Sequence, residues 1–479
     1  MPSVTSAEPS ATADGPADEG SGPGDRADSD SGPGSDSGGP GPGRLRGLVA
    51  DTRPLRHPAY RRLFTSSVVT AMGSQMTAVA VPFQIYQLTD SSAWVGIASL
   101  CGLLPLIVFG LWGGSVADTM DRRTLMLLTN IGVAASSLAL WVQAALHVDS
   151  VALLIVLLMV QQAMFGMNSP VRSATIPRLV PPEQLPAANA LGGTVSSVGA
   201  LVGPMVGGAL IPVTGLSTLY LIDACGLIAA LWAVLRLPSL PPPEDAPRRA
   251  NVAHIAEGFR VGLSSSLLAW SFGVDLIAMI FGMPRALFPQ LADTTFASNH
   301  LALGWLYAAI PLGSVLGGLF SGSFSRLRRH GLMTIIAVAC WGVAIVGFGL
   351  AGNLALASTF LALGGAADLM SMVFRQSILQ SVVTDEMRGR MQGVFTVVVA
   401  GGPRLADLVH GVAGAALGTR TAITSGGVLV VLGMAAVAVL VPRYRDYRAE
   451  DPAAAPAQAP ATAAVEAVVE QTAPSGSLD

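Results

Sequence analysis

The chain has 479 residues, of which 51% are hydrophobic and only 12% charged, and its formal net charge is −3. A soluble globular protein carries about a quarter charged residues, so that class is excluded; no nucleic-acid partner is expected. The three cysteines, Cys101, Cys225 and Cys340, lie in separate apolar runs and read as packing residues with no disulfide or metal role.

The net charge averages different materials. Residues 1–54 are rich in Gly, Ser, Pro and Asp, and up to residue 50 they hold eight acids against three arginines, a net of −5. Residues 443–479 are rich in Ala and Pro, with five acids and no base from 449 onward, again −5, which leaves +7 on 51–448. Neither tail has enough apolar surface to offset the entropy of ordering, so 1–54 and 443–479 are expected to be disordered. The acidic start has no basic stretch leading into an apolar run, so no secretory signal peptide is expected and the first membrane helix directs insertion.

Between the tails, runs of roughly 20 apolar residues predict about twelve membrane helices. Their limits are near 63–88, 93–117, 125–146, 150–172, 187–212, 216–237, 266–291, 302–324, 332–351, 353–375, 391–417 and 421–441. The longest connection, 238–262, opens PSLPPPEDAPRR and divides them into a bundle of six over 55–237 and another over 263–442. The odd-to-even turns contain Arg420 as their one arginine. The opposite turns hold Arg53, Arg56, Arg61, Arg62, Arg122, Arg123, Arg178, Arg236, Arg248, Arg249, Arg326, Arg328, Arg329, Arg388 and Arg390. The positive-inside bias therefore predicts a multi-pass protein of the cell (plasma or inner) membrane with both termini cytoplasmic.

Several motifs stand on these spans. Gln75 and Gln84 of span one are polar at membrane depth and are candidates to line a cavity. Span two ends in GGSVADTMDRR, Gly113–Arg123. Asp118 sits there at the partially negative end of a helix, where an acid needs a cation or another helix's N-terminus. Span four carries Leu158, Gln162, Phe165 and Gly166, and Gln162 is a third cavity candidate. Span five reads GALVGPMVGG, in which Gly199, Gly203 and Gly207 make a smooth face, Pro204 permits a kink, and Gly208 completes a glycine pair. The alternative reading is a small-residue packing face of a common membrane type.

Ionisable groups also occur deep in the spans: Asp223, Asp275, Arg285, Asp368, Arg375, Arg404, Asp407 and His410. Each charge at mid-bilayer costs about 2.5–3.5 kcal/mol on insertion scales, so such groups face the interior and find partners. Asp368 and Arg375 share a helix face, and Arg404 and Asp407, three apart, can pair. Gly401-Gly402-Pro403 predicts a kink beside this cluster. Asp275, Asp368 and Asp407, with Arg375 and Arg404, are the candidates for proton coupling; the alternative is a set of permanent pairs that hold helices together.

The halves are related internally. Arg172 and Glu183 are eleven apart, as are Arg375 and Glu386, and the same offset carries Asn189 onto Gln392. Parallel repeats suggest a site at their interface and a rocking motion.

Twelve spans as six plus six, with Gly114-SVA-Asp118-TMD-Arg122-Arg123 between spans two and three, resemble the major facilitator superfamily. Thr119 and Asp121 depart from its commonest pattern. Asp121, with PRLVPPEQLPAANAL, EGFR, RALFPQLAD and RGRMQGVF, resembles the branch of enterobactin (siderophore) exporters. The resemblance covers about 55–441. It implies an all-α membrane fold of twelve transmembrane helices in two six-helix bundles, no enzymatic activity, no cofactor, no metal, and a monomer. The span-five pattern is similar to that of the superfamily's exporters and antiporters, whereas Gln162 stands where many drug–proton antiporters carry arginine.

The expectation is a secondary-active efflux transporter for a small amphipathic molecule, siderophore-like or drug-like as in multidrug resistance, exchanged for protons across the lipid bilayer by alternating access. A gating latch between the halves would comprise Gly113, Gly114, Asp118, Asp121, Arg122 and Arg123 facing Arg388 and Arg390. Its bland counterpart is a solvated topology anchor. The alternative function is a non-transporting membrane sensor or scaffold whose tails recruit partners. A primary pump lacks its phosphate loop, and a metalloenzyme lacks its HExxH or CxxC.

Overall fold

A computed structural model describes residues 51–117, 119–241, 260, 265–319, 327–382 and 385–448. Its helices are long because a bilayer span needs about 20 apolar residues, and they continue through internal prolines such as Pro82, Pro105 and Pro311. They are α1 Pro58–Thr89, α2 Ser92–Ala117, α3 Arg122–Ala145 and α4 Val151–Thr175. The next helix, Leu185–Leu235, runs for 51 residues but bends at Gly215, whose φ of 79° falls in the region that favours glycine. Its arms, 185–214 and 216–235, are α5 and α6. The second set is α7 Ser266–Gly282, α8 Ala302–Leu319, α9 His330–Leu350, α10 Leu354–Val382, α11 Asp385–Leu417 and α12 Thr419–Leu440.

Ten described helical segments are long and apolar enough to cross a membrane, and the bent one holds two spans. α11 is the remaining long helix, 33 residues with Arg404, Asp407 and His410 within it. Each of the twelve expected spans thus contains a helix among the described residues.

Side-chain caps fix several helix starts. Asp121 accepts from the Thr124 N–H at 3.0 Å at the head of α3, and Ser150 accepts from the Leu153 N–H at 3.3 Å at the head of α4. α7 breaks earlier than expected. It ends at Gly282, and Met283, the residue before Pro284, leaves the helical region (φ −119°, ψ 80°); the chain then passes through a 3-10 turn, Arg285–Leu287, and ends in a π-helical turn, Leu291–Thr295. α11, by contrast, remains helical through Gly401-Gly402-Pro403.

Each half has its own buried core. In the first half Leu140, Leu154, Leu219 and Tyr220 are buried together, and in the second Phe288, Leu306, Ile345 and Leu361. Order extends slightly beyond the expected limits. Arg53–Arg56 form a turn before α1, and Pro442–Arg445 form a short helix after α12 that buries Tyr444 against Gly331. The expected disorder of 1–50 and 449–479 lies outside the described residues.

Candidate functional site

The ends of the spans define an arginine-rich and an arginine-poor face, and the halves meet toward the latter. α2 and α11 cross there. Ser92 Oγ donates to the Gly411 carbonyl at 3.0 Å, and a Cβ on Gly96 would press on the Asp407 backbone. α5 and α8 cross as closely: a Cβ on Gly208 would strike the backbone of Gly304, and one on Gly304 would lie 3.1 Å from the Pro204 carbonyl oxygen. At these contacts a glycine on at least one helix lets the backbones approach.

The span-five glycines therefore have divided duties. Gly199, Gly203 and Gly207 face Ala71, Gln75 and Met76 of α1 inside the first half, whereas Gly208 and Pro204 meet the second half. Gly113 likewise packs within its own half, against Met167 of α4.

Above these crossings lies a cavity of about 380 Å³ lined by both halves. Its wall includes Gln75 and Asp223 from the first half and Arg285, Tyr307, Arg404 and Asp407 from the second. Arg285 reaches it because the break at Pro284 turns the chain inward at the end of α7; irregular backbone at membrane depth is tolerated where it lines a cavity. Gln162 also lines the cavity. Gln84 does not: it is buried beneath the wall, where it exchanges amide hydrogen bonds with Gln143 at 3.1 and 3.3 Å and accepts from the Tyr220 hydroxyl at 2.9 Å. A lone polar residue on a helix gives no sign of which neighbour will claim it.

Arg404 and Asp407 are both at the site but make no ion pair with each other among the described residues. Ser99 Oγ of α2 donates to Asp407 Oδ2 at 2.6 Å, and Arg404 Nη1 donates to the Ser99 carbonyl at 3.2 Å. With its amide oxygen turned toward Arg404, Gln162 accepts from Nη2 at 2.6 Å. The coupling candidates on α11 are thus tied across the interface to α2 and α4, partners that spacing within α11 could not reveal.

The other two candidate carboxylates lie elsewhere. Asp275 of α7 forms a buried ion pair with Arg375 of α10, inside the second half and away from the cavity. Arg375 therefore pairs with Asp275 and not with Asp368, which has no hydrogen-bond partner among the described residues. His410 is buried with its Nε2 at 3.1 Å from the Phe281 carbonyl oxygen.

At the arginine-rich face the motif residues are held within the first half. Asp121 accepts from Ser239 Oγ at 2.6 Å and from the Leu240 N–H at 2.8 Å, besides capping α3. Arg122 Nη1 donates to the Ala174 carbonyl at 2.8 Å, and Arg123 Nη2 to the Leu235 carbonyl at 2.6 Å. Burial pushes the Asp121 carboxyl up, but the hydrogen bonds from Ser239, Thr124 and Leu240 outweigh it and hold the group below the usual carboxylate range. Asp118, the side chains of Arg388 and Arg390, and the surroundings of Gly114, all parts of the expected latch, lie outside the described residues.

A family model described as a transmembrane secretion effector matches residues 49–473. The enterobactin exporter EntS of Escherichia coli (strain K12) is 31% identical over 401 residues, 83% of this chain and 95% of that protein. EntS of Shigella boydii serotype 18 matches equally. Among solved structures, a bacterial homologue of the human lysosomal transporter Spinster aligns with a TM-score of 0.67 at 15% identity, over 84% of this chain and all of that one. The nucleoside transporter NupG aligns at 0.64 and 14% identity, over 81% of this chain and 98% of that one. These last two likenesses concern the fold alone.

Proposed function

The chain belongs to the transmembrane secretion effector family of major facilitator transporters, and from that premise we propose that it exports a siderophore-like amphipathic molecule in exchange for protons. It is a multi-pass membrane transporter and not an enzyme. The observation that carries the proposal is the cavity between the halves, with two arginines and two acids on an otherwise largely apolar wall. A molecule with aromatic or aliphatic bulk and a few polar groups suits such a lining. The relatives' name supplies the substrate class.

In this reading the arginine-rich face is cytoplasmic, in the cell membrane, and the cavity is in the state that loads substrate from within. Asp407 is the coupling carboxylate, because its bond to Ser99 joins α11 to α2 and is made or broken as the halves rock. Proton uptake on Asp407 weakens its hold on the Ser99 hydroxyl less than it changes its attraction to the cavity arginines, so protonation state and conformation become linked. In the opposite state Asp118, beside Arg122 and Arg123, closes on Arg388 and Arg390 as their counter-charge. The α5–α8 crossing seals the outer mouth.

The test uses everted vesicles bearing an inside-acid proton gradient followed by a pH-sensitive dye. Adding enterobactin should dissipate the gradient in vesicles that contain the protein, and Asp407→Asn should abolish the response. Labelled enterobactin taken up without any proton movement would leave export standing and remove proton antiport. No uptake at all would remove the substrate assignment.

A further inference from the structure

Asp223 on α6 is buried at the cavity wall and the proposed cycle does not use it. Its Oδ2 accepts from Thr77 Oγ1 of α1 at 2.9 Å and from Ser137 Oγ of α3 at 2.8 Å. Gln161 Nε2 of α4 in turn donates to Ser137 Oγ at 3.2 Å, and Thr77 and Gln161 line the same cavity. Asp223 Oδ1 is buried without a hydrogen-bond partner. It lies over Gly73 of α1, in the space a Cβ there would occupy.

Of the other acids in the spans, Asp275 has Arg375 and Asp407 shares the cavity with Arg285 and Arg404, while Asp368, without a hydrogen-bond partner among the described residues, does not line the cavity. Around Asp223, α1, α3 and α4 present hydroxyls and an amide. The titratable and charged groups that face it are Tyr220 on its own helix, whose hydroxyl donates to Gln84, and Arg285, Arg404 and Asp407 elsewhere on the cavity wall. No ion pair reaches it among the described residues. A carboxylate at this depth with both donors on one oxygen leaves the other oxygen's charge uncompensated. A proton on that oxygen removes the charge, and the donors on Oδ2 remain satisfied. A divalent metal ion takes six or more oxygens in most sites, more than this cluster offers.

We propose that Asp223, with Thr77, Ser137 and Gln161, is a proton-binding site in the first six-helix half, loaded and emptied through the central cavity. It is separate from Asp407 in the second half, so the transporter carries two proton sites on opposite sides of its interface. The step is the addition of one proton to Asp223 Oδ1 from cavity water and its later return. No other bond is formed or broken.

Infrared difference spectroscopy on the full chain in liposomes, titrated from about pH 4 to about pH 9, tests this without any transported substrate. Its result is therefore independent of the vesicle assay. A carboxylic-acid signal should titrate in the wild type and be lost in Asp223→Asn, while Asp407→Asn removes a different signal. Ser137→Ala and Thr77→Val should each raise the Asp223 midpoint, by about one pH unit, since each removes a donor that favours the charged form. An unchanged spectrum in Asp223→Asn overturns the proposal, as does a signal that is constant across the range or that responds to sodium in place of pH. Should Asp223→Asn not fold, unmoved midpoints in both hydroxyl variants overturn it equally.

Discussion

Asp121 illustrates how much one side chain at a helix start can do. It caps α3 and fastens the 239–240 segment to it, through four donors. Asp121→Ala should lower stability by about 1 kcal/mol, the usual effect of losing such a cap, read as the thermal melt of detergent-purified protein. Because the folded-state carboxyl is held below its usual range, its contribution is present above the unfolded value and lost as pH falls through the folded one. The difference between wild type and Asp121→Ala should therefore narrow in acid. Asp275 and Arg375 lead to a different prediction. Removing one member of a buried pair leaves an uncompensated charge, so Asp275→Asn should destabilise by about 3–5 kcal/mol and reduce the amount of folded protein in the membrane. Replacing both residues with Leu and Met should restore most of it. An Asp275→Asn protein that folds normally yet no longer moves protons would instead return Asp275 to the coupling candidates.

At the scale of elements, the same residue type serves two purposes that only contacts distinguish. Gly113 meets Met167 within one half; Gly208 meets Gly304 across the interface. Gly113→Ala would place its Cβ 2.7 Å from the Met167 Cα, and overpacking of this kind costs about 1–3 kcal/mol without moving one half relative to the other. Gly208→Ala would force α5 from α8 and bias the halves apart at the arginine-poor face. Spin labels at Leu210 and Ala302 should report a longer distance in Gly208→Ala and an unchanged one in Gly113→Ala. Equal distances in all three proteins would mean that this crossing does not hold the mouth closed. The broken end of α7 is a further case: Pro284 stops the helix, and Arg285 is delivered to the cavity as a result.

For the molecule as a whole, two bundles joined at one face and enclosing a cavity make a rocking transporter mechanically plausible, since packed interfaces switch between discrete arrangements and do not deform continuously. The twelve spans and the glycine face of span five were legible in the sequence because each is a local property: apolar length and a four-residue period. The cavity residues Gln75, Gln162, Arg404 and Asp407 were legible as polar groups at apolar depth, which must find partners inside. Which partner each took was not. Arg375 chose Asp275 over Asp368, Arg404 and Asp407 reached across to α2 and α4, and Gln84 was claimed by Gln143 and Tyr220. Those choices depend on how helices far apart in sequence are rotated against one another. Hydrophobic burial and bilayer thickness are nearly indifferent to that rotation, whereas a hydrogen bond or an ion pair is satisfied at one rotation and lost at the next.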